Sequence, residues 1–213
     1  MLPLKFSNAT GLKLLFLGAH CDDIEIGCGG SILKIIKQYP VEHIQWVVFT
    51  STPARRKEAE RSAEYFLKGV KGKEIVVRDF SDGILPQQAG EVKSYFEMIK
   101  KAYDPDIVFT HYRQDLHQDH RLINELTWNT FRNHFILEYE IQKYDGDLGR
   151  PSFFVPIDED TATCKVQAIL EYFITQSTKH WFDQETFLAL MRIRGLESAT
   201  RYAEAFYMRK GIL

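Results

Sequence analysis

The chain has 213 residues, 26% of them charged and 45% hydrophobic, and its formal net charge is -2 at pH 7. Because Lys and Arg are scattered along the sequence, the composition excludes the massed positive charge of a nucleic-acid or anionic-lipid binder. No apolar run approaches the roughly 18 residues of a membrane span. No stretch rich in Pro, Gly or Ser divides the chain, so we predict a single domain over residues 1–213 that acts on a small molecule.

The chain alternates between apolar strands and amphipathic helices, which predicts an α/β fold with a mostly parallel sheet. The second half is less regular and ends in a possible last strand. In chain order, the predicted elements are strand Leu12–Gly18, helix Gly30–Gln38, strand Ile44–Thr50, helix Ala54–Lys68, strand Glu74–Asp79, helix Gly90–Ala102, strand Ile107–His111, helix Asp119–Asn133, strand Leu137–Tyr144, the extended piece Ser152–Pro156, helix Thr161–Gln176, helix Gln184–Ser198 and strand Glu204–Met208.

The cysteine pattern indicates a reducing compartment. Cys21, Cys28 and Cys164 cannot all pair, and none forms a Cys-x-x-Cys arrangement. The N-terminal apolar run is shorter than the core of a signal peptide and is interrupted by Lys13. We therefore expect a cytoplasmic protein.

A polar cluster, His20-Cys21-Asp22-Asp23, directly follows the first strand. Two adjacent aspartates at the end of a buried strand are costly to keep charged without a cation or donors. Imidazole and carboxylate groups suit zinc and related metals, and a catalytic site keeps one position open beside three protein ligands. We predict that His20 and Asp23 bind a metal and that Asp22 is the general base that acts on metal-bound water.

A second cluster, from Asp115 to His120, follows the fourth predicted strand. We predict that His120 is the third metal ligand. His117 would lie near the substrate carbonyl, where it stabilises an oxyanion or acts as an acid, and Asp115 and Asp119 are candidates to hold it protonated. His111 ends the strand, and either a place in the site or a plain hydrogen bond is open for it.

The glycines Gly27, Gly29 and Gly30 follow the acidic pair and lack the order of a dinucleotide fingerprint. A nucleotide-binding module is therefore the weaker alternative, and close helix packing explains these glycines. A binding protein that keeps the metal without turnover is a further alternative. The presence of both Asp22 and His117 disfavours it.

The pattern Ala19-His20-x-Asp22-Asp23-x-Glu25 with Gly29-Gly30, followed by His117-x-Asp119-His120, closely resembles the PIG-L/LmbE-like zinc-dependent de-N-acetylases. The resemblance extends to Asp82-Gly83, to Arg194-Gly195 and to residues 202–206. It implies a Rossmann-like three-layer α/β/α fold and a bound Zn²⁺, with Fe²⁺ as the alternative. It also implies hydrolysis of the N-acetyl group of an amino sugar or glycoconjugate. A related amidase that cleaves a larger N-acyl group or a thiol conjugate is the main alternative.

The resemblance carries roles onto matching residues. His20, Asp23 and His120 would be the ligands, Asp22 the base and His117 the stabiliser or acid, with Asp119 orienting His117. Arg55 resembles the family arginine that contacts substrate hydroxyls or phosphate. Asp115 stands where some members carry a tyrosine that polarises the carbonyl, so we expect Asp115 to contact the substrate in its own way. Cys21 replaces the usual proline and places an oxidisable thiol beside the metal. The form of the sugar and the oligomeric state, including a homo-oligomer, stay open.

Overall fold

A computed structural model describes residues 11–212, so the first ten residues and Leu213 of the predicted domain lie outside the described residues. The described part contains seven strands and six helices, together with two short 3₁₀ turns. These are β1 (Leu12–Gly18), α1 (Asp23–Gln38), β2 (Val41–Thr50), α2 (Pro53–Phe66), β3 (Lys73–Phe80), α3 (Ala89–Ala102), β4 (Ile107–His111), α4 (Gln118–Thr130), β5 (Phe135–Tyr139), β6 (Phe153–Ile157), α5 (Glu159–Tyr172), α6 (Gln184–Glu197) and β7 (Tyr202–Tyr207).

The strands form one sheet in the order β3-β2-β1-β4-β5-β7-β6. Strands β1 to β5 pair in parallel, whereas β7 runs antiparallel to both β5 and β6. The predicted mostly parallel α/β sheet is therefore confirmed. Among the described helices, none is both long enough and apolar enough to cross a bilayer.

Helices cover both faces of the sheet, because successive strand residues point to opposite sides. On one face, Phe16 of β1 packs with Trp46 and with side chains of α1, α2, α5 and α6. On the other face, Leu15 and Leu17 pack with side chains of α3 and α4. This arrangement is the three-layer α/β/α architecture predicted above.

The order of the strands creates one crevice at the carboxyl edge of the sheet. The chain runs from β1 outward through β2 to β3, and then crosses back to place β4 on the other side of β1. Loops that leave β1 and β4 therefore diverge to opposite faces, and open α/β sheets bind ligands at such a point. Both polar clusters lie in these two loops.

Helix α1 begins at Asp23, seven residues earlier than Gly30, where the sequence pattern placed its start. Its backbone leaves helical geometry at Cys28, with φ -146° and ψ 17°. A Cβ at Gly27 would lie 2.2 Å from Cδ2 of the buried Tyr139 ring. The glycines thus allow α1 to approach the sheet closely, as predicted for them.

Candidate metal centre and active site

Three side chains from two loops converge at the crevice. His20 lies between β1 and α1, Asp23 opens α1, and His120 lies in the first turn of α4. His20 Nδ1 is 3.0 Å from His120 Nε2 and 3.3 Å from Asp23 Oδ2. His120 Nε2 is 3.5 Å from Asp23 Oδ1. All three residues are buried.

These spacings fit a bound divalent metal. Tetrahedral ligands at about 2.0–2.2 Å from a metal lie roughly 3.3–3.6 Å from one another, and the three distances here, 3.0, 3.3 and 3.5 Å, are within a few tenths of an ångström of that range. Although burial opposes it, the neighbouring His120, His20 and His111 hold the pKa of Asp23 well below its usual range. The site therefore contains a buried carboxylate anion and two imidazoles. This donor set suits zinc and also suits ferrous iron.

A carboxylate stands behind each of the two imidazoles. Asp115 Oδ2 lies 2.9 Å from His120 Nδ1, and Asp119 Oδ2 lies 3.3 Å from His20 Nε2. The exposed Asp82 adds a second contact to His20 Nε2, at 3.1 Å. Such partners fix the orientation of ligating histidines and make them more basic.

This arrangement corrects the expectation for Asp115. The residue is 2% exposed, and its carboxylate contacts His120 and Lys143, the latter at 2.9 Å. Its Oδ1 accepts a hydrogen bond from the backbone N–H of His117, at 2.8 Å, so it does not contact the His117 ring. Asp115 is therefore placed to orient His120, and the predicted substrate contact is not what this geometry provides.

Asp119 also differs from its predicted role. Its oxygens accept the backbone N–H groups of Gly83, at 2.8 Å, and Leu85, at 3.0 Å. Its remaining contact is with the ring of His20, and only its backbone N–H reaches the ring of His117. Asp119 thus fixes the loop after β3 against the site and does not orient His117 through its carboxylate.

His117 caps the N-terminus of α4, where its Nδ1 accepts the Asp119 N–H at 3.2 Å. In a neutral ring this leaves the proton on Nε2. Burial, together with the neighbouring His120 and His20, lowers the pKa of His117. The ring therefore suits a neutral hydrogen-bond donor, in contrast to the protonated imidazole expected from the sequence. Its centroid lies 4.7 Å from that of His20.

Asp22 and Arg55 form an ion pair beside the metal ligands. Arg55 Nη2 lies 2.8 Å from Asp22 Oδ1, and both side chains are largely buried. Burial opposes the charged form of Arg55, but Asp22 raises the pKa of the guanidinium. Arg55 comes from the first turn of α2, which Thr52 caps. The structure thus brings Arg55 to the site as the partner of Asp22.

Sequence reasoning missed Lys143, gave Asp82 no role and left His111 open. His111 is fully buried, and its Nε2 accepts the Ala19 N–H at 2.9 Å. Burial and His120 lower the pKa of His111 to about 4, so the ring is neutral. The position of His111 at the end of β4 was the feature of the sequence that pointed to a place in the site. Lys143 carries no motif that could have marked it as a contact of Asp115. Asp82 belongs to the family resemblance, but its contact with His20 was not predicted.

Cys21 lies between the proposed ligands in sequence but points away from them. Its thiol is 1% exposed and contacts the Thr50 carbonyl at 3.4 Å. Burial raises the pKa of the Cys21 thiol to about 12. The expected oxidisable thiol is therefore a protonated, buried group.

The chain is similar to a family of de-N-acetylases and to a curated deacetylase. The model of the family described as PIG-L, GlcNAc-PI de-N-acetylase, matches residues 15–131, more than half of the chain. The "Uncharacterized deacetylase YaiS" of Escherichia coli (strain K12) is 28% identical over 179 residues, which cover 78% of this chain and 94% of that protein.

Solved structures of other proteins share the fold, and two of them carry different names. N,N'-diacetylchitobiose deacetylase from Pyrococcus horikoshii has a TM-score of 0.72 at 24% identity, with 92% of this chain and 83% of that chain covered. GalB, the 4-carboxy-2-hydroxymuconate hydratase from Pseudomonas putida KT2440, has a TM-score of 0.71 at 17% identity, with 95% and 98% covered. The fold alone is thus compatible with two different reactions.

Proposed function

The chain belongs to the PIG-L (GlcNAc-PI de-N-acetylase) family, and from that premise we propose that it removes the N-acetyl group of an amino sugar or glycoconjugate in a metal-dependent hydrolysis. The observation that carries the proposal is the convergence of His20, Asp23 and His120 at metal-ligand spacing. The Asp22–Arg55 pair beside them supplies a base. The sugar acceptor is supported by the chitobiose deacetylase that shares the fold.

His20, Asp23 and His120 would hold the metal, which when bound would polarise the acetamide carbonyl and make a water molecule more acidic. Asp22 accepts the proton of the attacking water, and Arg55 holds its carboxylate in place. The Nε2–H of His117 donates to the carbonyl oxygen as that oxygen gains negative charge. Asp22 then returns the proton to the departing amine, so that acetate and a free amino sugar leave.

An amine-release assay over a panel of N-acetylated sugars tests the proposal, with metal content measured on the same preparation. We expect equal amounts of acetate and free amine from at least one sugar. The same acceptor with longer N-acyl groups separates a deacetylase from the alternative, an amidase for larger N-acyl or thiol-conjugate substrates. Absence of amine release from every acetamide, with metal bound, would refute the proposal.

We further propose that the enzyme works in the reducing cytoplasm. Cys21, Cys28 and Cys164 are all free thiols in the structure. Disulfides are rare in that compartment, so unpaired cysteines are what it favours.

A further inference from the structure

An open groove with a volume of about 430 Å³ lies between α4 and the segments that follow β4 and β7. Three arginines line it, namely Arg113 after β4, Arg132 after α4 and Arg209 after β7. Trp128 of α4 forms part of its wall. The deacetylation described above uses none of these residues.

A buried carboxylate forms hydrogen bonds and an ion pair with residues that line the groove. Glu138 of β5 is 1% exposed and accepts the Trp128 Nε1–H at 2.6 Å and the backbone N–H of Arg113 at 3.0 Å. It also forms an ion pair with Arg209. The indole and the Arg209 guanidinium therefore have fixed positions, and a fixed arrangement reduces the cost of binding a ligand.

The groove is positively charged, although the whole chain has a formal net charge of -2. Among the described residues, no carboxylate forms an ion pair with the guanidinium of Arg113 or Arg132. Glu125 is the acidic residue that lines the groove, against three arginines. Burial and the nearby Arg113 lower the pKa of Arg209 against the pull of Glu138.

The groove offers charge and not a stacking surface. Arg209 lies 4.4 Å and Lys210 lies 5.2 Å from the centroid of the Trp128 ring, so cations already pack on that indole. A nucleobase would have to displace them. Planar guanidinium groups match the oxygens of a phosphoryl group and bind them in pairs.

The groove is also connected to the candidate active site. The side chain of Asn124 donates to the His111 carbonyl at 2.6 Å and accepts from Arg209 at 2.9 Å. Arg113 belongs to the same loop as Asp115 and His117. Asn124 therefore links the groove to the end of β4, which carries His111.

We propose that this groove binds a phosphoryl group through Arg113, Arg132 and Arg209. This phosphoryl group belongs either to a free phosphate compound or to the substrate itself.

Calorimetric titration of the metal-loaded protein with inorganic phosphate, at constant ionic strength, tests the site. We expect saturable binding that shifts the NMR signal of the Trp128 indole N–H. The double variant Arg113→Gln, Arg132→Gln should weaken binding about tenfold or more, because charge-assisted hydrogen bonds are lost. Arg61→Gln is the matched control, since this exposed arginine stacks on Tyr172 of α5, 5.7 Å from the ring centroid. It should leave the affinity unchanged.

No saturable binding to the wild type would overturn the proposal. Equal affinity in the double variant would also overturn it, because the phosphate would then bind elsewhere, such as at the metal. Unchanged thermal unfolding of the double variant excludes loss of the fold as the cause of weaker binding.

Steady-state kinetics distinguish the two sources of the phosphoryl group, the substrate and a free phosphate compound. This part of the test rests on the proposed function. A rise in KM confined to a phosphorylated N-acetyl sugar, in the double variant, assigns the phosphoryl group to the substrate. Unchanged KM values for that sugar and its unphosphorylated form assign it to a free ligand. If neither sugar is hydrolysed, the proposed deacetylation fails, whereas the phosphate titration still decides the groove.

Discussion

At the scale of single residues, each imidazole of the proposed metal centre lies between Asp23 on one side and another carboxylate on the other. Asp115 stands behind His120, and Asp119 stands behind His20. The sequence motif predicted which residues meet here. It did not predict these pairings, because spacing along a chain leaves the direction of each side chain undetermined. For this reason the structure pairs Asp115 and Asp119 with other groups than the sequence suggested.

The role of Asp22 can be tested by replacing it with asparagine, which keeps its shape and removes the base. We expect Asp22→Asn to lower kcat by roughly 10²–10⁴ while metal content stays unchanged, because general base catalysis is worth that much. Asp160→Asn on the exposed start of α5 is the control and should have full activity. Loss of less than about tenfold would contradict the assignment.

Arg55→Gln separates a partner of Asp22 from a substrate contact. Because Arg55 pairs with Asp22, we expect kcat to fall about tenfold or more while KM changes little. Steady-state kinetics over a range of substrate concentrations measure both constants. An unchanged kcat with a raised KM would instead support the substrate contact that the sequence predicted.

The cysteines predict a simple labelling pattern. The thiolate is the reactive form, and burial raises the pKa of both Cys21 and Cys28. Cys164 is exposed. Iodoacetamide at pH 8 should therefore modify Cys164 in the folded protein, and mass spectrometry should find Cys21 and Cys28 unmodified until a denaturant is added. Rapid modification of Cys21 without denaturant would show that its loop opens.

At the scale of elements, apolar runs predicted the central strands well. The bounds of β1 and β4 match their predictions, because both strands are buried and end at polar clusters. The start of α1 was placed too late, since its first turn carries the polar site residues and its glycines disfavour a helix locally. The predicted strand Leu137–Tyr144 was too long. The alternation of apolar and polar residues continues past Tyr139, but β5 ends at that residue, opposite His111.

Close packing of α1 against β5 predicts a strong effect at Gly27. A Cβ there would lie 2.2 Å from Cδ2 of Tyr139, whose hydroxyl donates to the Leu17 carbonyl at 2.6 Å and so holds the ring in place. We expect Gly27→Ala to lower the free energy of unfolding by about 1–3 kcal/mol, or more, as measured by denaturant unfolding.

Gly90→Ala is the matched control in α3. A Cβ at Gly90 would have no atom within 4 Å, and alanine favours a helix. This variant should be unchanged or more stable by less than about 1 kcal/mol. Equal effects of the two substitutions would contradict the packing described for α1.

At the scale of the whole molecule, the order of the strands puts the two motifs in one crevice. The sequence predicted a mostly parallel sheet, and from it the carboxyl edge as the place of the site. It did not predict that β7 runs antiparallel between β5 and β6, because such pairing depends on contacts far apart in the chain. The role of Lys143 was not predictable for the same reason, since the loop after β5 reaches Asp115 only in the folded protein.

Removal and return of the metal test the central claim most directly. The protein should hold one divalent metal per chain, a chelator should abolish acetate release, and stoichiometric Zn²⁺ or Fe²⁺ should restore it. Metal content and acetate release are measured on the same samples, and a sample carried through the steps without chelator is the control. Full acetate release from protein shown to be free of metal would contradict the account.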